Sequence, residues 1–78
     1  MKNIGKVSRA WLFEIGIQDI SQLRRFGSVQ VYKMIRMNHP NKASLNLLWA
    51  LEGAIQDIHW TEIPEELKEE LKAKVFKM

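Results

Sequence analysis

SLNLLWALEGAIQDIHW, residues 44–60, is the stretch that decides the fold of this chain. Apolar residues fall on nearly every side of a helix drawn through it, and a helix that is apolar all round is buried. Polar residues interrupt it before it reaches the roughly 20 apolar residues that crossing a bilayer takes. Ser44 is suited to cap its start, because a serine hydroxyl accepts from a freed backbone N–H. The stretch therefore predicts a central buried helix at about residues 44–58.

The central helix is interrupted at two neighbouring positions. Glu52 either emerges to solvent or is a buried acid, which would need a basic partner or backbone N–H groups to hold it. Gly53 costs about 1 kcal/mol relative to alanine inside a helix, so its presence predicts a close helix crossing.

Length and composition bound the class of protein. Seventy-eight residues form one domain, predicted over residues 1–78, near the lower size limit for a single unaided core. The hydrophobic content of 46%, with three tryptophans, supplies the apolar surface for that core. Cysteine is absent, which excludes disulfides and thiolate metal sites and agrees with a cytoplasmic location. The first residues lack the apolar run of a signal peptide, and no membrane partner is expected.

Charge is divided between the two halves of the chain. Residues 1–42 carry eight lysines and arginines against two acidic residues, a net +6, whereas residues 43–78 carry four against seven, a net −3. A basic half of this size attracts phosphates or an acidic protein surface. Ordinary solvation of a small domain explains the same pattern.

Glycines divide the first half into short helices. A first helix is predicted between Gly5 and Gly16, with Gly16 in the left-handed conformation that often follows a helix. Asp19 and Gln22 have the spacing of a capping box, which predicts a second helix over residues 20–26. The apolar face of the first helix is predicted from helical spacing at Val7, Ala10, Trp11 and Ile15.

Two further helices complete the expected architecture. Ser28 is suited to cap a third helix through about Met37, and Pro64 fits the first position of a last helix. The last helix has an acidic first turn and an outer face that is either simply solvated or a self-association surface. The fold class is therefore predicted as all-α, a compact five-helix domain. The third helix is expected to bury Val31, Met34 and Ile35 with Tyr32 at its margin, and the last helix to bury Leu67, Leu71 and Val75 and to end with Lys74 and Lys77.

A short motif near the start has the chemistry of a phosphate contact. NIGKVS, residues 3–8, places glycine, lysine and serine directly before a helix. Gly5 is expected to adopt φ > 0, and the freed N–H groups at the helix start form an anion site. Lys6 and Arg9 would stand beside those donors, as in a helix-hairpin-helix loop that contacts one DNA phosphate without reading bases. A glycine that merely joins two short helices has the same local pattern.

The motif and the basic half together predict a weak, sequence-independent DNA interface. The alternative is an interaction adaptor of the same fold, which uses its positive charge for an acidic protein partner and acts as a monomer or a homodimer. The expected nucleic-acid-binding residues are Gly5, Lys6, Ser8, Arg9, Arg24, Arg25, Lys33 and Arg36.

Catalytic and metal chemistry lack the residues they need. His39 and His59 stand far apart, without cysteine or paired carboxylates at ligand spacing. Ser8, Asp57 and His59 have no strained nucleophile turn among them. No enzyme activity, catalytic residue, metal or cofactor is expected, and the three tryptophans are assigned to the core rather than to base stacking.

Three segments together resemble a known family. NIGKVSRAWLFEIGI (3–17), DISQLRRFGSVQVYKMI (19–35) and the central stretch are similar to the C-terminal domain of the TfoX (Sxy) competence-regulator family. The most specific piece is LLWALEGA (47–54), with His59 and Trp60 after it. The resemblance implies a helical domain of helix-hairpin-helix or sterile-alpha-motif-like type and a regulatory link to DNA uptake. It implies no enzyme, and larger family members carry an additional N-terminal domain.

Overall fold

The computed structural model describes residues 2–76, in which five α-helices and one short 3-10 helix follow one another without a strand. The all-α, five-helix prediction is confirmed. Within the described range, no helix has the length and apolar character that crossing a membrane requires. The helices are α1 (Lys6–Glu14), α2 (Ile20–Phe26), α3 (Ser28–Asn38), α4 (Leu45–Gln56) and α5 (Glu65–Phe76), with the 3-10 helix at Trp60–Glu62.

Helix α4 lies at the centre, in contact with α2, α3 and the 3-10 helix. Leu48 and Leu51 are fully buried, and Trp49 is 8% exposed. The helix ends where Asp57 takes a left-handed conformation with φ 58°, which lets the N–H of Ile58 donate back to the carbonyl of Gly53 at 2.9 Å. The prediction of a central buried helix is confirmed, with its ends inside the predicted bounds.

Neither of the two predicted serine caps forms its capping hydrogen bond. Ser44 is the cap residue of α4 and has the extended backbone of that position, but its side chain makes no capping hydrogen bond. Ser28 is the first residue of α3, whose cap is Gly27 with φ 84°. The Ser28 hydroxyl instead donates to the Glu52 carboxylate at 2.6 Å and so connects α3 to α4.

The predicted bounds of α2, residues 20–26, are confirmed. The Asp19 carboxylate accepts from the backbone N–H of Gln22 at 2.9 Å, which is the predicted cap. The Gln22 side chain accepts from the N–H of Gln18 rather than from that of Asp19, so the reciprocal half of the capping box is shifted by one residue. Gly27 then ends the helix with its positive φ.

The apolar face predicted for α1 is right for Trp11 and Ile15 and wrong for Val7 and Ala10. Leu12 is the fully buried residue of the helix, whereas Val7 is 62% exposed and Ala10 is also exposed. The turn after α1 sets this orientation, because the Leu12 carbonyl accepts from the N–H of Ile17 at 2.9 Å and brings Ile17 into the core beside Leu12. Trp11 and Ile15 are half-buried at the edge of the core.

In α3, Tyr32 is a core residue rather than a marginal one. It is 2% exposed, and its hydroxyl donates to the carbonyl of Ala43 at 2.8 Å. That hydrogen bond allows the ring to be buried without an unsatisfied polar group. Val31 and Ile35 are buried as predicted, while Met34 is only partly buried.

Helix α5 begins one residue later than predicted. Pro64 is the residue before the helix, and its carbonyl accepts from the N–H of Lys68 at 3.0 Å. Leu71 and Val75 are buried as expected, and Leu67 is half-buried. The predicted position of Lys77 at the end of the helix lies outside the described residues.

The two interruptions of α4 each have a structural explanation. Glu52 is half-buried, and its carboxylate accepts from the Ser28 hydroxyl and the Gln56 side-chain amide, so its partners are neither basic groups nor backbone N–H groups. At Gly53, a Cβ would lie 2.5 Å from the Asn3 side-chain nitrogen and 2.9 Å from the Ile58 carbonyl oxygen. The close approach is therefore made by segments flanking α1 and α4, and not by a crossing helix.

Candidate nucleic-acid interface

The turn that leads into α1 is built by Asn3. Gly5 is the cap residue of α1 with φ −87° and ψ −172°, so the expected positive φ at this glycine is wrong. Asn3 takes the left-handed conformation instead, with φ 70°. The Asn3 side chain connects this turn to the segment that follows α4. Its amide nitrogen donates to the Ile58 carbonyl at 2.9 Å, and its amide oxygen accepts from the N–H of Trp60 at 3.2 Å.

The start of α1 has the properties of an anion contact. No side chain caps it, and its first turn holds no acidic residue. The first intrahelical bond runs from the Arg9 N–H to the Gly5 carbonyl at 2.9 Å, which leaves the N–H groups of residues 6–8 without an intrahelical acceptor. Lys6 and Arg9 are exposed one turn apart, and Ser8 is half-buried between them. The positive end of the helix dipole and the positive charges of Lys6 and Arg9 therefore lie together at the start of α1.

Arg9 and Arg24 lie together in one cleft of about 670 Å³, which is called the α1–α2 cleft here and is also lined by Lys2 and Phe13. Arg24 has a structural partner, since its Nε donates to the carbonyl of Ile55 at the end of α4 at 3.1 Å. Lys2 is tied to the same end of α4, with its Nζ 3.9 Å from the Asp57 carboxylate. Aspartates line the cleft as well, so its positive charge is partly neutralised.

The basic residues of α3 lie in a different place. Lys33 and Arg36 line a separate cleft of about 420 Å³, with Met34 and Met37. The Arg36 guanidinium lies 5.3 Å from the centroid of the Phe76 ring and 5.7 Å from that of Tyr32. Arg25 is exposed on α2 and lines neither cleft. The structure thus divides the predicted residues into a group at α1 and a group on α3.

A further cleft was not foreseen from the sequence. It has a volume of about 410 Å³, and Trp11 and Trp60 both line it; we call it the tryptophan cleft. Only Trp49 is a core tryptophan, because Trp11 and Trp60 are half-buried. The remaining lining residues are Asn3, Val7, Ser8, Lys42, Ser44, Asn46, Leu47 and Ala50.

The Trp11 ring and the Trp60 backbone each have a contact that holds them in place. The His39 ring stacks on Trp11 with the ring centroids 4.8 Å apart, and the His39 Nε2 lies 2.8 Å from a carboxylate oxygen of Glu14. The backbone of Trp60 is fixed by Asn3, as described above. His39 therefore has structural contacts, and among residues 2–76 no group of three or more histidine, cysteine or acidic side chains could hold a metal ion.

Comparisons with known proteins identify a family, a relative and a similar solved structure. The family model of the TfoX C-terminal domain matches residues 1–75. The chain is 30% identical over 60 residues to the DNA transformation protein TfoX1 of Aliivibrio fischeri, an alignment that covers 77% of this chain and 29% of that protein. The crystal structure of an uncharacterized protein from Listeria monocytogenes superposes with a TM-score of 0.87 at 38% identity, covering 92% of this chain and 81% of that one. Since the family model spans nearly the whole sequence, this chain belongs to the TfoX C-terminal domain family.

Proposed function

We propose that the chain is a non-enzymatic binding module that contacts nucleic-acid phosphates and acts in the regulation of DNA uptake. The observation that carries the proposal is the uncapped start of α1, where free N–H groups coincide with the exposed Lys6 and Arg9. The relation to a DNA transformation protein supports the same direction, although the chain spans only 29% of that relative's length.

The proposed contact follows from the chemistry of the α1 start. A phosphate can approach the backbone closely at Gly5, because among the described residues only its two chain neighbours lie near the position its Cβ would occupy. Lys6 and Arg9 then supply charge on either side, and the Ser8 hydroxyl supplies a further donor. Arg24 extends the contact across the α1–α2 cleft. Because every donor in this contact binds phosphate and none binds a base edge, binding is independent of base sequence.

The other basic residues of the proposed set act at longer range. Arg25, Lys33 and Arg36 lie on α2 and α3, where they raise the positive potential without sharing a cleft with the start of α1. Their charges act on a phosphate at α1 through the solvent. At 0.1 M salt this attraction is therefore screened beyond about 10 Å. Salt is therefore expected to weaken their effect first.

We expect fluorescently labelled duplex DNA to bind at low salt and to be released as salt rises. With about three phosphates neutralised, the affinity should fall by roughly 40-fold between 50 and 200 mM salt. Lys6→Glu should weaken binding at low salt by about tenfold or more, since it removes one contact and repels the phosphate. Fluorescence anisotropy measures both effects.

Lys74→Glu is the matched control for this titration, because it makes the same charge change at an exposed position in the last turn of α5. Its effect on affinity should stay within about threefold of wild type. Absence of duplex binding at low salt, or equal losses for the two variants, would contradict the proposal.

A second candidate, an adaptor that binds a protein partner or a second copy of itself, is favoured by one observation. Met37 is 84% exposed and Phe76 is 58% exposed, and the Arg36 guanidinium lies over the Phe76 ring. Apolar side chains so exposed beside a cation are typical of protein interfaces.

The adaptor function predicts that affinity-captured partners survive nuclease treatment of the sample and are lost with Met37→Ser. For self-association, sedimentation velocity should show a dimer that the same substitution dissociates. Partners that disappear with nuclease and persist with Met37→Ser would exclude the adaptor and favour nucleic acid.

A further inference from the structure

We propose that the tryptophan cleft accepts an unstacked nucleobase, so that the module prefers single-stranded to duplex nucleic acid. This inference rests on the proposed function and names its substrate class. The cleft adjoins the α1 phosphate site directly, because Ser8 belongs to both. A strand held by its phosphates at the start of α1 therefore places a base beside the two indole rings.

The aromatic walls of the cleft are already in position. Trp11 and Trp60 are only partly buried, and both line the cleft. His39 covers one side of Trp11, and the Asn3 amide fixes the backbone of Trp60. A ring that is held in advance, as that of Trp11 is by His39, loses little conformational entropy when a base stacks on it. Single-strand binding proteins combine base stacking on aromatic side chains with a positively charged groove.

The polar residues of the cleft suit a nucleotide. Lys42 supplies a cation, Ser8 and Ser44 supply hydroxyls, and the Asn46 amide can both donate to and accept from a base edge. Among the described residues, none that lines this cleft is acidic. The α1–α2 cleft differs in this respect, since Asp19 and Asp57 line it. The positive charge of the tryptophan cleft is thus not offset by an acidic residue among those that line it.

The size of the cleft favours a single base over a double helix. Its volume of about 410 Å³ lies within the 300–1,000 Å³ that is typical of small-ligand pockets. In a duplex the faces of a base are covered by its neighbours and its pairing edge is occupied, so it cannot enter without unstacking. Stacking on indole rings tolerates any base, which agrees with sequence-independent phosphate contacts.

The test compares a fluorescein-labelled oligothymidylate with a duplex of the same length, both measured by anisotropy at low salt. Wild type should bind the single strand more tightly. Trp11→Leu and Trp60→Leu should each weaken single-strand binding by about 5- to 100-fold and leave duplex binding within about twofold. The corresponding phenylalanine variants should retain most of the single-strand affinity, because they keep an aromatic face.

Two further comparisons, which use exposed lysines, test the proposal if a leucine variant fails to fold. Lys42→Glu is an exposed substitution in the cleft and should reduce single-strand binding more than Lys74→Glu does. Lys6→Glu should reduce binding of single strand and duplex alike. Duplex binding with no preference for the single strand, or equal losses on both ligands for the tryptophan variants, would overturn the cleft proposal and leave the α1 contact standing. Failure of wild type to bind either ligand would overturn both.

Discussion

Replacement of Trp49 by alanine is expected to lower the free energy of unfolding by about 3–5 kcal/mol. The side chain is 8% exposed on the central helix, and Lys68 of α5 lies with its Nζ 5.7 Å from the ring centroid. Truncation leaves a cavity in the core and removes that cation–π contact. Because a small domain has about 5–15 kcal/mol in total, the variant should be largely unfolded at room temperature. Urea denaturation followed by circular dichroism measures the loss.

Arg25→Ala is the appropriate control for the tryptophan variant, since Arg25 is an exposed residue of α2. Its stability should stay within about 0.5 kcal/mol of wild type. Arg24 is less suitable, because its side chain donates to the Ile55 carbonyl at the end of α4. A Trp49→Ala protein as stable as the Arg25→Ala protein would mean that α4 is not the centre of the core.

Gly53→Ala is expected to destabilise the fold by about 1–3 kcal/mol, although alanine has the higher helix propensity. The added methyl group would meet the Asn3 side-chain nitrogen at 2.5 Å and the Ile58 carbonyl oxygen at 2.9 Å. The Asn3 side chain can rotate away only by giving up its hydrogen bonds to Ile58 and Trp60. The substitution should therefore loosen the entry into α1 as well as the end of α4. Thermal unfolding of the purified variant measures the effect.

The same substitution at Gly5 separates this clash from the general effect of removing a glycine. Gly5 has negative φ, and among the described residues only its chain neighbours lie within 4 Å of its Cβ position, so Gly5→Ala should change stability by no more than about 0.5 kcal/mol. Equal melting temperatures for the two glycine variants would contradict the packing described around Gly53.

The helices were predictable because their signals are local. Asp19 caps α2 through a residue three positions away, and Gly16 and Gly27 mark helix ends through their own positive φ. The burial of α4 follows from its composition alone. Such signals need no knowledge of the rest of the fold.

What the sequence could not supply depends on tertiary contacts. Leu12 is buried beside the turn in which its carbonyl accepts from the N–H of Ile17, and helical spacing alone did not place Leu12 on the inner face of α1. Ser28 has the composition of a cap, but its partner is Glu52, 24 residues further along the chain. The competition between a local and a distant partner for the same hydroxyl is decided only by packing.

The candidate site shows the same division. Exposure of Lys6 and Arg9 could be predicted, since both belong to a polar helix start. The tryptophan cleft could not, because Trp11 and Trp60 are far apart in the sequence, and the contact of Trp60 with the segment before α1 is made by Asn3, a residue with no distinctive sequence pattern. Only the observed orientation of α1 shows that Trp11 lies at the edge of the core rather than inside it.

The most direct test of the account is a map of the contact surface in solution. In a ¹H–¹⁵N correlation spectrum recorded with and without oligothymidylate, we expect the largest shifts at the backbone amides of residues 5–9 and at the indole N–H groups of Trp11 and Trp60. The indole of Trp49 and the amides of α5 should stay in place. Shifts centred instead on Met37 and Lys33, or no shifts at low salt, would contradict the assignment of nucleic-acid contact to α1 and the tryptophan cleft.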